Sequence, residues 1–354
     1  MDKENILFIC GSLNQTKMMH EISKHLREFD SYFTPYYSDG FTKILSSSNL
    51  LDFTILGGKF KEKTIEYLKN HKLRTDFEGK DRIYDLVITC SDLIIPKNVL
   101  SSKLILVQEG MTDPENFMYH LVKKFKLPRY LASTSTTGLS DAYDKFCVAS
   151  PGYKNFFVKK GVNPDKIVVT GIPNFDNSKK YLENDFPHRN YALVATSDTR
   201  ETFKYENRKK FIEYALEKSE GKQLIFKLHP NEKVDRATEE INAYAPGSLV
   251  YHEGNTEHMI ANCDILITRY SSVVYVGLAL GKKVYSEFDL NELKRLLPIQ
   301  NGGRSAYNIS TVARKLLGAE TSISYNKFGK ANKLRNRTKI FDKYKEKIET
   351  LRIN

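Results

Sequence analysis

The chain has 354 residues, 40% of them hydrophobic and 28% charged, with a formal net charge of +12. That is the composition of a globular protein with room for two α/β domains, and no run approaches the twenty apolar residues a spanning helix needs. The opening Met-Asp-Lys-Glu-Asn lacks the apolar core of a signal peptide, and Cys10, Cys90, Cys147 and Cys263 lie far apart, which reads as buried free thiols in a reducing cytoplasm.

The apolar run 6–10 followed by Gly11 and Ser12 reads as a strand, a glycine turn and a helix start, with the helix continuing through 18–29. Many nucleotide-handling α/β domains open this way, but neither a G-x-G-x-x-G pattern nor a Walker lysine is present. Residues 32–49 carry aromatics and serines without clear periodicity and read as a loop with a short helix. Runs 85–90 and 103–108 are buried strands. The second ends in Glu109, Gly110, Thr112, Asp113, Pro114 and Glu115, which places carboxylates at a strand's carboxyl end, where ligands of open α/β sheets collect. Asp113 and Glu115 equally suit the start of the next helix. Glu109 precedes that turn and is the stronger functional candidate.

Phe117, Met118, Leu121, Val122 and Phe125 mark one face of a helix whose other positions include Lys123 and Lys124. Such a basic amphipathic helix either packs on its own domain or touches a membrane or a lipid-linked acceptor. Strands at 145–150 and 166–170 enclose a helix over 153–160. The polar, broken stretch 177–189 then reads as a domain junction.

A second α/β half begins with the strand at 191–197, whose loop holds Thr199 and Arg200, and a helix over 207–218 follows. The apolar run 224–228 is a buried strand stopped by Pro230, which puts His229 at its carboxyl end. A strand at 248–252 leads through Glu253 to another helix. Run 264–268 is a strand ended by a polar turn with Ser271 and Ser272, and 273–280 reads as the helix behind it. Hydroxyls at a fresh helix N-terminus make a phosphate seat. The expected architecture is two facing Rossmann-like domains. Residues 1–175 are expected to form the first half, 186–325 the second, and 326–354 a basic C-terminal helix. From residue 325 onward ten Lys or Arg stand against three Asp or Glu, more than half the net excess. This tail is suited to an anionic membrane face or to water; no nucleic-acid fold motif accompanies it.

Together these features resemble a GT-B glycosyltransferase. Glu109-Gly110, His229-Pro230 and Ser271-Ser272 stand in the order of the acidic-Gly, His-Pro and Ser-Ser motifs of bacterial sialyltransferases and Kdo transferases. Gln108 occupies the place of the first motif's other acid. The Ser-Ser segment with Gly281 and Val284 is also similar to CDP-glycerol glycerophosphotransferases, and the stretch 168–176 to UDP-GlcNAc 2-epimerases. The resemblance implies a metal-independent inverting transfer without a cofactor, from a nucleotide sugar, CMP-linked by preference, to a saccharide or lipid-linked saccharide acceptor. Glu109 would be the base. His229, Pro230, Ser271 and Ser272 would hold the departing phosphate, Thr199, Arg200 and Glu253 the nucleoside, and Gly11, Ser12, Gly110 and Asp113 the acceptor. Glu109 and His229 are expected to face one cleft from opposite sides. A CDP-polyol phosphotransferase and a sugar-nucleotide 2-epimerase are the alternatives.

Overall fold

The computed structural model describes residues 3–39, 58–197, 199–201 and 205–319. The chain divides into two compact units, residues 1–313 and 314–354. Of the second unit only the end of the last helix and two residues after it are described. The expected basic helix lies outside the described residues, as do positions 40–49 of the expected loop.

The first unit holds two all-parallel sheets. The first has six strands: β1 (Asn5–Cys10), β2 (Asp30–Pro35), β3 (Leu86–Thr89), β4 (Lys103–Val107), β5 (Lys145–Val148) and β6 (Ile167–Val169), in spatial order β2-β1-β3-β4-β5-β6. The second has five: β7 (Ala192–Ala195), β8 (Leu224–Lys227), β9 (Leu249–Tyr251), β10 (Ile265–Thr268) and β11 (Lys283–Tyr285), in order β11-β10-β7-β8-β9. Parallel strands covered on both faces are near-continuously apolar, and β3, β7, β8 and β10 are buried at every position. The anticipated α/β architecture of two Rossmann-like halves is what the chain forms.

Each sheet reverses its strand order once. The reversal falls between β1 and β3 in the first sheet and between β7 and β10 in the second. Such a switch point opens a crevice at the strands' carboxyl ends. Gly11 and Ser12 follow β1, and the turn with Ser271 and Ser272 follows β10. His229 follows β8, on the far side of β7 from that crevice.

Helices cover the sheets: α1 (Leu13–Ser23), α2 (Gly58–Asn70), α3 (Phe117–Phe125), α4 (Pro151–Lys160), α5 (Arg208–Lys218), α6 (Val234–Tyr244), α7 (Thr256–Asn262), α8 (Val274–Ala279), α9 (Leu290–Leu296) and α10 (Ser305–Leu317). Local chemistry sets their ends. Ser150 caps α4 by accepting from the Tyr153 N–H at 3.2 Å, and Gly161 closes it with φ 105°. Two readings are corrected. The first helix stops at Ser23 rather than running to 29, because Lys24 to Phe29 turn to deliver β2. Residues 32–35 are not loop but part of β2, an edge strand whose mixed polar and aromatic sequence fits its half-buried position.

After α9 the chain returns to the first half. Ile299 N–H donates to Ala149 O, Asn301 N–H to Asp176 O, and Ser305 N–H to the Asp176 carboxylate. Buried phenols add a further tie, Tyr153 on α4 meeting Tyr275 on α8 at 2.7 Å. All four cysteines are free and buried. Among the described residues no helix is long and apolar enough to cross a membrane.

Candidate functional site

A cleft of about 720 Å³ is lined from both halves: Asn14, Lys17 and Glu21 of α1, Glu109 and Gly110 beyond β4, and Asn255, Glu257 and Ser272 of the second half. The crossover residues Asn174 and Lys180 complete one wall.

Glu109 is the best-supported side chain in it. Ser12 Oγ donates to Glu109 Oε1 at 3.0 Å, and the Gln15 amide donates to Oε2 at 2.5 Å. Ser12 is also the cap of α1, its Oγ accepting the Gln15 N–H at 3.3 Å, so its own proton is left for the carboxylate. Desolvation pushes the Glu109 carboxyl above the ordinary carboxylate value, while the Gln15 and Ser12 hydrogen bonds oppose the rise. A carboxylate moved toward neutrality yet held by two donors is suited to taking a proton. Gly11 makes this arrangement possible, since a Cβ there would lie 1.8 Å from Gln15 Oε1. Gly110 forms cleft wall, its carbonyl accepting from Gln108 Nε2 at 2.7 Å.

The second half contributes Ser272 directly. Ser271 lies beside it, its hydroxyl oriented toward the Val273 N–H at 3.4 Å. The helix behind them, α8, is only six residues long. Its dipole is therefore small, and the hydroxyls are the polar groups the turn chiefly offers.

His229 does not line the cleft. Its ring closes its own turn, Nδ1 accepting the Asn231 N–H at 3.3 Å, which leaves the proton of the neutral ring on Nε2. Its backbone N–H donates to Glu232 at 2.9 Å and approaches Thr196 Oγ1, beyond the end of β7, at 3.1 Å. Pro230 is exposed beside it.

The remaining candidates stand apart from the cleft. Arg200 is engaged by Glu240 through two hydrogen bonds of 2.8 and 2.9 Å. Thr199 pairs with Ser197 at 2.7 Å. Glu253 is exposed, its nearest ionic partner His252 at 3.7 Å. Asp113 is tied to Thr134 by a 2.8 Å bond, and Asn116, not Asp113 or Glu115, caps α3.

Several participants were not read from the sequence. Gln15, Glu257 and Lys180 are such residues, and so is an ionic chain at the carboxyl edge of the second sheet, buried at Glu206, Arg208 and Glu232 and opening toward solvent at Glu287. Glu232 pairs with Arg208, Arg208 with Glu206, and Arg269 with both Glu206 and Glu287. Glu232 is the same carboxylate that holds the His229 N–H. Lys227 is buried as well, and its ammonium ties the β8 and β9 ends through Leu228 O at 3.0 Å and His252 O at 3.1 Å. A hollow of about 400 Å³ beside β10 and β11 contains Arg269 and Glu287 but none of the expected site residues. Among the described residues no group of three His, Cys, Asp or Glu is arranged to hold a metal ion.

No family model matches the chain, and no curated protein matches it in sequence. Solved structures do match. A crystal structure of UDP-N-acetylglucosamine 2-epimerase aligns over 91% of this chain and 98% of its own, at a TM-score of 0.52 and 15% identity. The UDP-GlcNAc 2-epimerase from Neisseria meningitidis, bound to UDP-GlcNAc, aligns over 88% and 100%, at 0.53 and 13%. The wall teichoic acid polymerase TagF aligns over 89% of each chain at 0.48 and 10%. At such identities the epimerase likeness is one of fold, and it does not extend to a sialyltransferase or Kdo-transferase relationship. The chain has the GT-B-type arrangement of two parallel α/β sheets.

Proposed function

We propose that the protein is an inverting glycosyltransferase acting on a nucleotide sugar, CMP-linked by preference, with residues 1–175 receiving the acceptor and 186–325 the donor. The observation that carries this reading is the Glu109 carboxylate, set in a cleft between the halves, held by Ser12 and Gln15, with Ser272 lining the same cleft from the donor half. In the step, the acceptor hydroxyl gives its proton to Glu109 as its oxygen bonds to the sugar's anomeric carbon. The bond from that carbon to the phosphate oxygen breaks, and its electron pair leaves with the nucleotide. Ser271 and Ser272 donate to that phosphate, while His229, which follows β8 beyond β7 and lies outside the cleft, takes no part in the step. The reading routes nothing through an Asp-x-Asp motif, which the sequence lacks. The acceptor is a saccharide or lipid-linked saccharide of a bacterial surface polysaccharide.

One observation favours a second reading. Glu257 lines the cleft from the half opposite Glu109, and two carboxylates on separate walls suit a sugar-nucleotide epimerase, which needs proton-transfer groups on both faces of the sugar. Incubation with CMP-, CDP- and UDP-linked donors, with and without saccharide acceptors, separates the two under NMR. Transfer releases nucleotide and forms a new glycoside; epimerisation yields an isomeric donor and no nucleotide. A panel left unchanged would contradict both.

A further inference from the structure

The sequence leaves open whether the basic amphipathic helix packs on its domain or faces outward, and α3 does both. Tyr119 and Val122 are buried against Ala132 and Leu139. Phe117 and Phe125, by contrast, are 76% and 60% exposed, and Met118, Leu127 and Leu131 are exposed with them. At about 100° per residue, Phe117, Met118, Leu121 and Phe125 fall within one arc of roughly 100°, beside the buried stripe rather than on it. Large apolar side chains gathered on an exposed face mark an interaction surface.

Charge selects the partner. Segment 117–129 carries Lys123, Lys124, Lys126 and Arg129 and no acidic residue. Lys123 is turned inward, donating to Lys160 O at 3.1 Å, and Arg129 to Asp92 O; Lys124 and Lys126 stay exposed beside the apolar arc. The preceding acids are Asp113, held by Thr134, and Glu115. Aromatic side chains flanked by lysines match the boundary between acyl chains and anionic headgroups. A second copy of the same face would set like charges against each other.

We infer that α3 and the turn after it, through Phe117, Met118, Phe125 and Leu127 with Lys124 and Lys126, form a docking face for an anionic lipid bilayer. The face lies close to the cleft in the chain. Met111 lines the cleft, and the six residues from there to Phe117 span at most about 20 Å. Docking would thus bring membrane-borne groups near Glu109; that consequence, unlike the docking itself, rests on the transferase reading.

The test is cosedimentation of the full chain with vesicles of phosphatidylcholine alone and of phosphatidylcholine with about one-third phosphatidylglycerol, at low and high salt. The wild type should bind the anionic vesicles at low salt at least about tenfold more tightly than the neutral ones. Phe117→Ser with Phe125→Ser, and separately Lys124→Glu with Lys126→Glu, should each weaken that binding about tenfold or more, with unchanged circular dichroism and melting. Absence of wild-type binding, or equal binding by the phenylalanine variant, overturns the inference. So does a change of oligomeric state in that variant without lipid, which would make the face a protein interface. Nucleotide affinity, measured on the same samples, tests the transferase reading separately.

Discussion

The Gln15 side-chain amide donates to the Glu109 carboxylate at 2.5 Å, and its own amide oxygen lies 1.8 Å from where a Cβ on Gly11 would fall. A glycine, a buried amide and a carboxylate nearly a hundred positions later therefore form one device. The turn after β1 holds the group presented by β4.

Removing that amide has a defined sign. Gln15→Leu deletes a hydrogen bond that favours the ionised form, so the Glu109 pKa rises further above its ordinary value. A base must be ionised to act, so the rising limb of the pH–rate profile moves to higher pH. On the acid side of that limb the rate should fall roughly tenfold to a hundredfold, and it should recover as pH increases. Gly11→Ala should act alike by displacing Gln15. A uniform loss at all pH values would mean that Gln15 supports only the fold.

Glu109→Gln should affect stability in the opposite direction from activity. Because the folded pKa is raised, the carboxyl's contribution is fully present below its unfolded pKa and is lost as pH rises through the folded one. At neutral pH the wild type thus bears the cost of a desolvated charge that glutamine avoids. The variant should melt higher than wild type at pH 7, with the advantage shrinking in acid. A variant less stable at pH 7 would show the charge to be fully compensated.

Ser272→Ala should weaken nucleotide binding more than Ser271→Ala. Ser272 lines the cleft, whereas the Ser271 hydroxyl is oriented to the Val273 N–H. A lost hydroxyl donor costs about 0.5–1.5 kcal/mol, so the pair should cost about 1–3 kcal/mol in titration calorimetry with cytidine and uridine nucleotides. Unchanged affinity for all of them would leave the serines a purely local role in the turn.

Glu232→Ala removes a buried partner of Arg208 and the acceptor of the His229 N–H. Breaking one side of a buried pair leaves the other charge uncompensated, a loss of about 3–5 kcal/mol. Denaturant unfolding measures it. A cost below about 1 kcal/mol would mean that Glu206 or solvent takes over the pairing.

The same contrast explains what the sequence could reveal. Strands β1, β3, β8 and β10 are apolar runs broken only at their ends, because parallel sheets bury both faces, and such runs are visible in one dimension. The edge strand β2 mixes polar and aromatic residues and resembles loop. Glu109 stood out because it follows a strand and precedes a turn. Gln15 did not, since only folding places α1 beside the end of β4. The chain from Glu206 through Arg208 to Glu232 joins residues from separate loops and helices, and charges spaced that way look like ordinary solvated surface until the sheet brings them together. The Phe117 helix showed its periodicity, but which part of its face would stay open depended on where Ala132 and Leu139 packed.

The most direct test is a side-by-side measurement of nucleotide binding and turnover for wild type and Glu109→Gln, using whichever donor the wild type consumes. Glu109 lines the cleft from the first half, to which the proposal gives the acceptor, and makes no proposed contact to the phosphate. The variant should therefore bind nucleotide within about twofold of wild type while turnover falls by roughly a hundredfold to ten-thousandfold. Turnover near the wild-type rate, or loss of nucleotide binding together with rate, would contradict the assignment of Glu109 as the base.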